Sequence, residues 1–226
     1  CKIELAPPLL KAITALPDQI RESEDRDRTQ NNLKQIGLAF RIFESSFGFM
    51  PNNVTSKDGK ALLSWRVQLL PYIEQEPLYR QFHLDEPWDS PANKKLIEKM
   101  PKIYVLPGRE TKEKGLTYFQ MFSSPEALID GSPLLVAGKR WVLDKITDGA
   151  SNTALVTEAR EPVIWTKPDD IAYDPKKLPK LGSPARRRVY LLFADGSSRT
   201  MDRDLLTDEL LKALITADGG ETIRTP

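Results

Sequence analysis

The chain has 226 residues, 40% hydrophobic and 29% charged, which excludes a disordered or fibrous chain and leaves room for one large core or two small ones. Its 33 basic and 32 acidic residues give a net charge of +1. That balance excludes a general nucleic-acid binder, which needs a basic surplus to neutralise phosphates.

No stretch approaches the roughly 20 apolar residues of a membrane helix, and no signal peptide is visible. Cys1 is the only cysteine, so an internal disulfide and a thiolate metal site are both excluded. Three readings of Cys1 stay open: a trimmed end, the lipidated N-terminus of a mature lipoprotein, or a catalytic thiol. The third lacks a partner, because nothing brings the single histidine, His83, near it.

Residues 5–27 predict a short helix with Leu9, Leu10, Ile13 and Leu16 at helical spacing, broken at Pro17. The mixed charges of "RESEDRDR" predict a solvated helical face. From about Arg26 to Phe47, Leu33, Ile36, Phe40, Phe43 and Phe47 recur at three- and four-residue steps and predict one amphipathic helix. Gly48 suits its C-cap and Pro51 prevents its resumption.

The central region carries a turn signal at Asp58-Gly59 and two short helices opened by prolines, in "PLYRQF" and "PANKKLIEKM". Its aromatic residues, Trp65, Tyr72, Tyr79, Phe82 and Trp88, predict a satellite core, with a ligand platform as the alternative. The second half is rich in β-branched and aromatic residues. "KGLTYFQMF", "PLLVAGKRWVL", "SNTALVTEA", "EPVIWT" and "RRRVYLLFADGSSRTMD" read as strands, with Asp-Gly turns at Asp130, Asp148 and Asp195. Asp195-Gly196 suits a two-residue hairpin turn. A closing helix is N-capped by Thr207 and ended by Gly219 or Gly220. The fold class is therefore α+β: a long N-terminal helix packed on an antiparallel sheet, with a large insert of loops and short helices. Residues 1–27 form an extension and 28–226 a single domain.

Candidate chemistry is sparse. Asp144, Asp148 and Asn152 could offer oxygens to calcium, although the spacing of a strong calcium loop is missing; turn chemistry is the alternative. Glu158 with Asp148 could form a carboxylate pair for hydrolysis. His83 has no partner His or Cys, so a surface role is favoured. Arg186, Arg187 and Arg188 form a dense basic cluster that suits a surface patch or an acidic ligand.

"NNLKQIGLAFRIFESSFGFMP", "DGKALLSWRVQLLPYIEQEPLYRQFHLDEPWDSPANKKLIEKMP", "ITDGASNTALVTEA", "WTKPDDIAYDPKKLPKLG" and "FADGSSRTM" together resemble domain-of-unknown-function family 1559, over roughly Arg28 to Glu221. The resemblance implies a pseudopilin-like architecture of bacterial, prepilin-type proteins, an extracytoplasmic place and no established enzymatic activity. The residues expected to determine the fold are Asn31, Asn32 and Gln35 at the helix start, Trp65 and Trp88 holding the insert, Asp148, Gly149, Asn152 and Glu158 in a turn-strand unit, and Asp195 and Gly196. Two departures stand out. The hydrophobic leader helix of many members is replaced by polar residues 1–27, and the histidine that nine intervening residues separate from the Asp-Gly is Ala185 here. The expected role is a non-enzymatic structural or protein-interaction module with partners in the cell envelope. It would touch the membrane only through lipid on Cys1. The alternative is a hydrolase or carbohydrate-binding domain that uses the central aromatics with Glu158 and Asp148.

Overall fold

A computed structural model describes residues 7–124, 133–136 and 140–220, with side chains from residue 18 onward. The expected readings of Cys1 and of the Asp130 turn fall outside these residues. Helix α1 (Pro7–Phe47) is one continuous element of 41 residues. The predicted break at Pro17 and the separate short helix are therefore corrected. A proline removes a single hydrogen bond from the ladder, and the Glu-, Arg- and Gln-rich run behind it favours helix strongly enough to carry the turn. The charged segment is a largely exposed helical face, as expected. Gly48, at φ 76°, ends the helix and donates its N–H to the Glu44 carbonyl at 2.7 Å.

A hairpin of β1 (Val54–Thr55) and β2 (Ala61–Leu63) follows, turned at Gly59 with φ 79°. Ser64 then caps α2 (Trp65–Gln68), its hydroxyl accepting from the Arg66 N–H at 3.2 Å. Helix α3 (Glu76–Tyr79), short 3₁₀ turns at Leu70–Ile73 and Lys102–Tyr104, and a seven-residue 3₁₀ helix at Asn93–Lys99 complete the insert.

The remaining strands are β3 (Leu116–Gln120), β4 (Phe122–Ser124), β5 (Leu135–Val136), β6 (Ala154–Ile164), β7 (Ile171–Ala172), β8 (Arg188–Phe193) and β9 (Ser198–Asp202). The main sheet is antiparallel in the order β3-β6-β8-β9. A second sheet, β5-β4-β7, pairs in parallel, which the sequence pattern does not anticipate. The two strands expected in "SNTALVTEA" and "EPVIWT" are one strand, β6. Its register with β3 jumps between Thr117↔Val163 and Phe119↔Glu158, and Pro162 falls in that bulge, where no ladder donor is needed.

The β8–β9 turn also differs from expectation. The Gly196 N–H bonds the Phe193 carbonyl at 2.9 Å, the Phe193 N–H bonds the Ser197 carbonyl at 2.8 Å, and Gly196 has φ 87°. This is a three-residue connection closed by a glycine bulge, with Asp195 bonding the Ser197 N–H at 2.8 Å. Helix α4 (Asp208–Ile215) is capped by Thr207, as expected, but ends at Ile215, short of Gly219.

Helix α1 lies across β8 and β9. Leu33, Ile36 and Phe40 are wholly buried there, whereas Phe47, the last residue of the predicted stripe, is 53% exposed. Gly37 lets the helix approach closely. A Cβ added at Gly37 would stand 2.8 Å from Leu192 Cδ1 and 3.1 Å from the Gly196 carbonyl oxygen.

Candidate functional site

The tryptophans singled out by sequence are scaffold. Trp65 and Trp165 are fully buried; their indole N–H groups donate to Asp170 at 3.2 Å and to the Ile97 carbonyl at 2.8 Å. Trp88 is half-buried and packs against the main core. Beside Trp65, the Arg66 guanidinium is shut away from solvent and fully engaged. It donates to Asp170 at 2.7 Å, to the Phe119 carbonyl through Nε and Nη2, and to the Ser64 hydroxyl at 2.7 Å. Asp170 also accepts the Met121 N–H at 2.9 Å. This hub welds the insert to β3 and to the loop before β7. Sequence reasoning missed Arg66 and Asp170, because nothing in "KPDDIAYD" reveals a partner 104 residues earlier.

Glu158, in mid-β6, has no exposed surface. One carboxylate oxygen meets Arg109 at 3.0 Å; among the described residues the other has no donor at hydrogen-bond geometry, although the Ser183 backbone N–H is near enough to favour the ionised form. Burial pushes its carboxyl above the ordinary range, against the pull of the Arg109 and Arg186 guanidinium groups. Arg109 also donates to the Ala159 carbonyl at 2.8 Å and stacks 3.7 Å above Tyr118.

Asp148 does different work. Its two oxygens accept the N–H groups of Gly219 and Gly220, each at 2.8 Å. Asn152 donates to the Asp148 carbonyl at 3.0 Å and Gly149 supplies the turn at φ 89°. The unit is a clamp on the segment after α4. Asp144 sits in a separate 3₁₀ turn, Leu143–Lys145. Among the described residues no group of three or more His, Cys, Asp or Glu side chains converges as a metal site. Asp148 and Glu158 are thus committed to different partners and do not face one cleft as a catalytic pair.

His83 is exposed and pairs with Glu86 at 2.9 Å. Arg187 pairs with Asp202 and Asp204 on the surface, while Arg186 bonds the Gly108 carbonyl. Asn31 and Gln35 lie mid-helix on the exposed side of α1, not at its start, because the helix begins at Pro7. Asn32 reaches the Val105 carbonyl at 3.2 Å. Leu38 and Ile42, 60% and 40% exposed, continue the same outward strip.

Three surface cavities of about 860, 470 and 280 Å³ are open, and none is lined by Trp65, Trp88 or Trp165. The largest of the three lies where α1 ends. Its wall is aromatic: Phe43 packs on Phe47 at 4.5 Å, on Tyr72 at 5.7 Å and on Phe49 at 5.8 Å between ring centres. The Arg140 guanidinium lies 4.4 Å above Phe49. Burial raises the pKa of Tyr72 and Tyr79, with Glu76 adding to the first and Tyr72 and Glu76 to the second. Glu76 and Arg140 are the charged side chains on the described lining, and Glu76 already pairs with Arg80 at 2.9 Å. The described wall carries no nucleophile–base pair. It offers broad apolar contact with amide and hydroxyl groups at the edge. The sequence signal for it is the early exit of Phe47 from the buried stripe, legible only once the helix end is placed.

No helix among the described residues is long and apolar enough to cross a membrane. In comparisons with known proteins, neither the curated proteins nor the solved structures give a match. The profile of the family described as "Protein of unknown function (DUF1559)" matches residues 19–140, more than half of the chain. The chain belongs to that family.

Proposed function

We propose that this protein is a non-enzymatic structural or protein-interaction module of the cell envelope, built along pseudopilin-like lines, and that the aromatic cleft at the end of α1 receives a partner. The observation that carries this reading is where the side chains are spent. The residues with catalytic potential, Glu158 and Asp148, are tied into the scaffold. Among the described residues, four of the five large exposed apolar side chains, Ile20, Leu38, Ile42 and Phe47, lie on α1, and the fifth is Leu205. An aromatic cleft with one mobile-length cationic side chain at its edge suits an apolar side chain of another protein better than bond cleavage. The envelope location rests on the family resemblance. The hydrolase or carbohydrate-binding reading is less favoured, since Trp65 and Trp165 are buried and Trp88 lines none of these three cavities.

A photo-crosslinking amino acid at Phe47 or Tyr79, with Asp204 as an exposed control, tests the proposal in cells that make the protein. The expected result is one dominant protein adduct from the cleft positions, absent at Asp204 and recovered in the envelope fraction. The same adducts at all three positions, or none in the envelope, overturn it.

A further inference from the structure

The cavity of about 470 Å³ shares no lining residue with the aromatic cleft and has the opposite character. Arg160, Lys176, Lys177, Lys180 and Arg203 surround it, against a single carboxylate, Asp208. The chain as a whole is balanced at a net charge of +1, so this concentration of one sign is a local feature of the surface. Among the described residues, Arg160 and the three lysines have no ion-pair partner. Like charges held together repel one another, and the arrangement is relieved by a bound anion.

The pocket is also a built feature. The segment "DPKKLPKLG" that supplies the lysines is pinned at both ends. The Tyr173 N–H bonds the Ser123 carbonyl at 2.8 Å, and the Gly182 N–H bonds the Glu158 carbonyl at 2.9 Å. Leu181 is buried and bridges to Ala159. Asp174 accepts the Lys176 N–H at 2.8 Å, and Pro175 and Pro179 fix the backbone between. Arg203 is held by the Ser183 carbonyl at 2.6 Å. The cations are thus presented from a stiff frame, which lowers the ordering cost of binding. Leu178, Leu206 and Leu211 give the pocket an apolar floor.

We infer that this pocket binds a phosphorylated ligand carrying more than one negative charge, with the phosphoryl oxygens on Arg160, Lys176, Lys177, Lys180 and Arg203 and a short apolar portion on the leucine floor. A lone carboxylate would satisfy one cation. Phosphoryl groups carry about −1.5 to −2 each and spread acceptors over several donors, as these spaced cations require. The volume falls within the range of small-molecule sites. The same chemistry can arrive as a free oligophosphate or as a lipid headgroup.

The test uses the whole chain, inorganic tripolyphosphate, and vesicles of phosphatidylcholine with and without phosphatidylglycerol. The native protein is compared with Lys176→Ala/Lys177→Ala/Lys180→Ala and with the control Lys57→Ala/Lys60→Ala, all exposed positions whose replacement leaves folding intact. Saturable binding that weakens about tenfold or more in the triple variant, and is unchanged in the control, is the expected result. Loss confined to tripolyphosphate assigns a soluble ligand; loss confined to phosphatidylglycerol vesicles assigns a headgroup. Equal binding by native and triple variant on both probes, or an equal loss in the control, overturns the inference.

Discussion

Arg66 and Asp170 meet at 2.7 Å with 0% and 1% of their side chains exposed, although 104 residues separate them. Every guanidinium nitrogen of Arg66 has a partner, and Trp65 and Met121 add donors to the same Asp170 oxygen. Breaking such a pair from one side leaves a buried charge uncompensated. Asp170→Asn or Arg66→Met should therefore each destabilise the fold by about 3–5 kcal/mol, whereas the double replacement should cost clearly less than their sum. Urea unfolding of the two singles and the double measures this. Strict additivity would mean that the pair is not the unit described.

Glu158 gives a pH signature. Burial holds its carboxyl above the value of the unfolded chain. Between the two values the folded protein binds more protons than the unfolded one, so this residue's contribution to stability falls as pH rises through that window. Glu158→Gln removes the titration. The expected readout, from urea unfolding between about pH 4 and about pH 7, is a native stability that drops relative to Glu158→Gln as pH rises. A difference that is flat, or grows with pH, would show that Arg109 dominates and holds the carboxylate ionised.

The parts of this fold legible in the sequence are those governed by local physics. The Leu33–Phe43 stripe, the Asp58-Gly59 turn, the Gly48 stop and the Thr207 cap each express a periodicity or a backbone preference within a few residues. What escaped reading depends on distance along the chain. Arg66 finds Asp170 only after the insert folds back, and the parallel pairs of β4 join segments with no hairpin between them. Asp148 was noticeable as an acidic turn residue, but its partners are the backbone N–H groups of Gly219 and Gly220, which no side-chain pattern advertises. Pro17 misled for the converse reason: a local breaker was outweighed by the helix around it.

Gly37 tests the seam between α1 and the main sheet. Alanine is the better helix former by about 1 kcal/mol, so on local grounds Gly37→Ala should stabilise. Its Cβ, however, would meet Leu192 Cδ1 at 2.8 Å and the Gly196 carbonyl at 3.1 Å. The flexible leucine can yield; the turn backbone yields less. Overpacking of about 1–3 kcal/mol should outweigh the helix gain, giving a lower Tm. Leu192→Val, which removes the clashing carbon, should recover part of the loss in the double variant. A raised Tm for Gly37→Ala would place the helix farther from the sheet.

Asp148 separates a clamp from a metal loop. Its carboxylate accepts two backbone N–H groups at 2.8 Å in a largely buried position, and bonds to a charged acceptor are worth about 1.5–3 kcal/mol each. Asp148→Ala should lower stability by about 2–4 kcal/mol and release Gly219 and Gly220 to rapid amide exchange. Asp148→Asn, which keeps one oxygen acceptor, should lose less. Calcium provides the contrary arm. With both oxygens already taken by amides, millimolar-range calcium should leave the native Tm unmoved. A calcium-dependent rise that vanishes in Asp148→Ala would instead mean that the ion displaces Gly219 and Gly220 and that the loop of Asp144, Asp148 and Asn152 is a metal site.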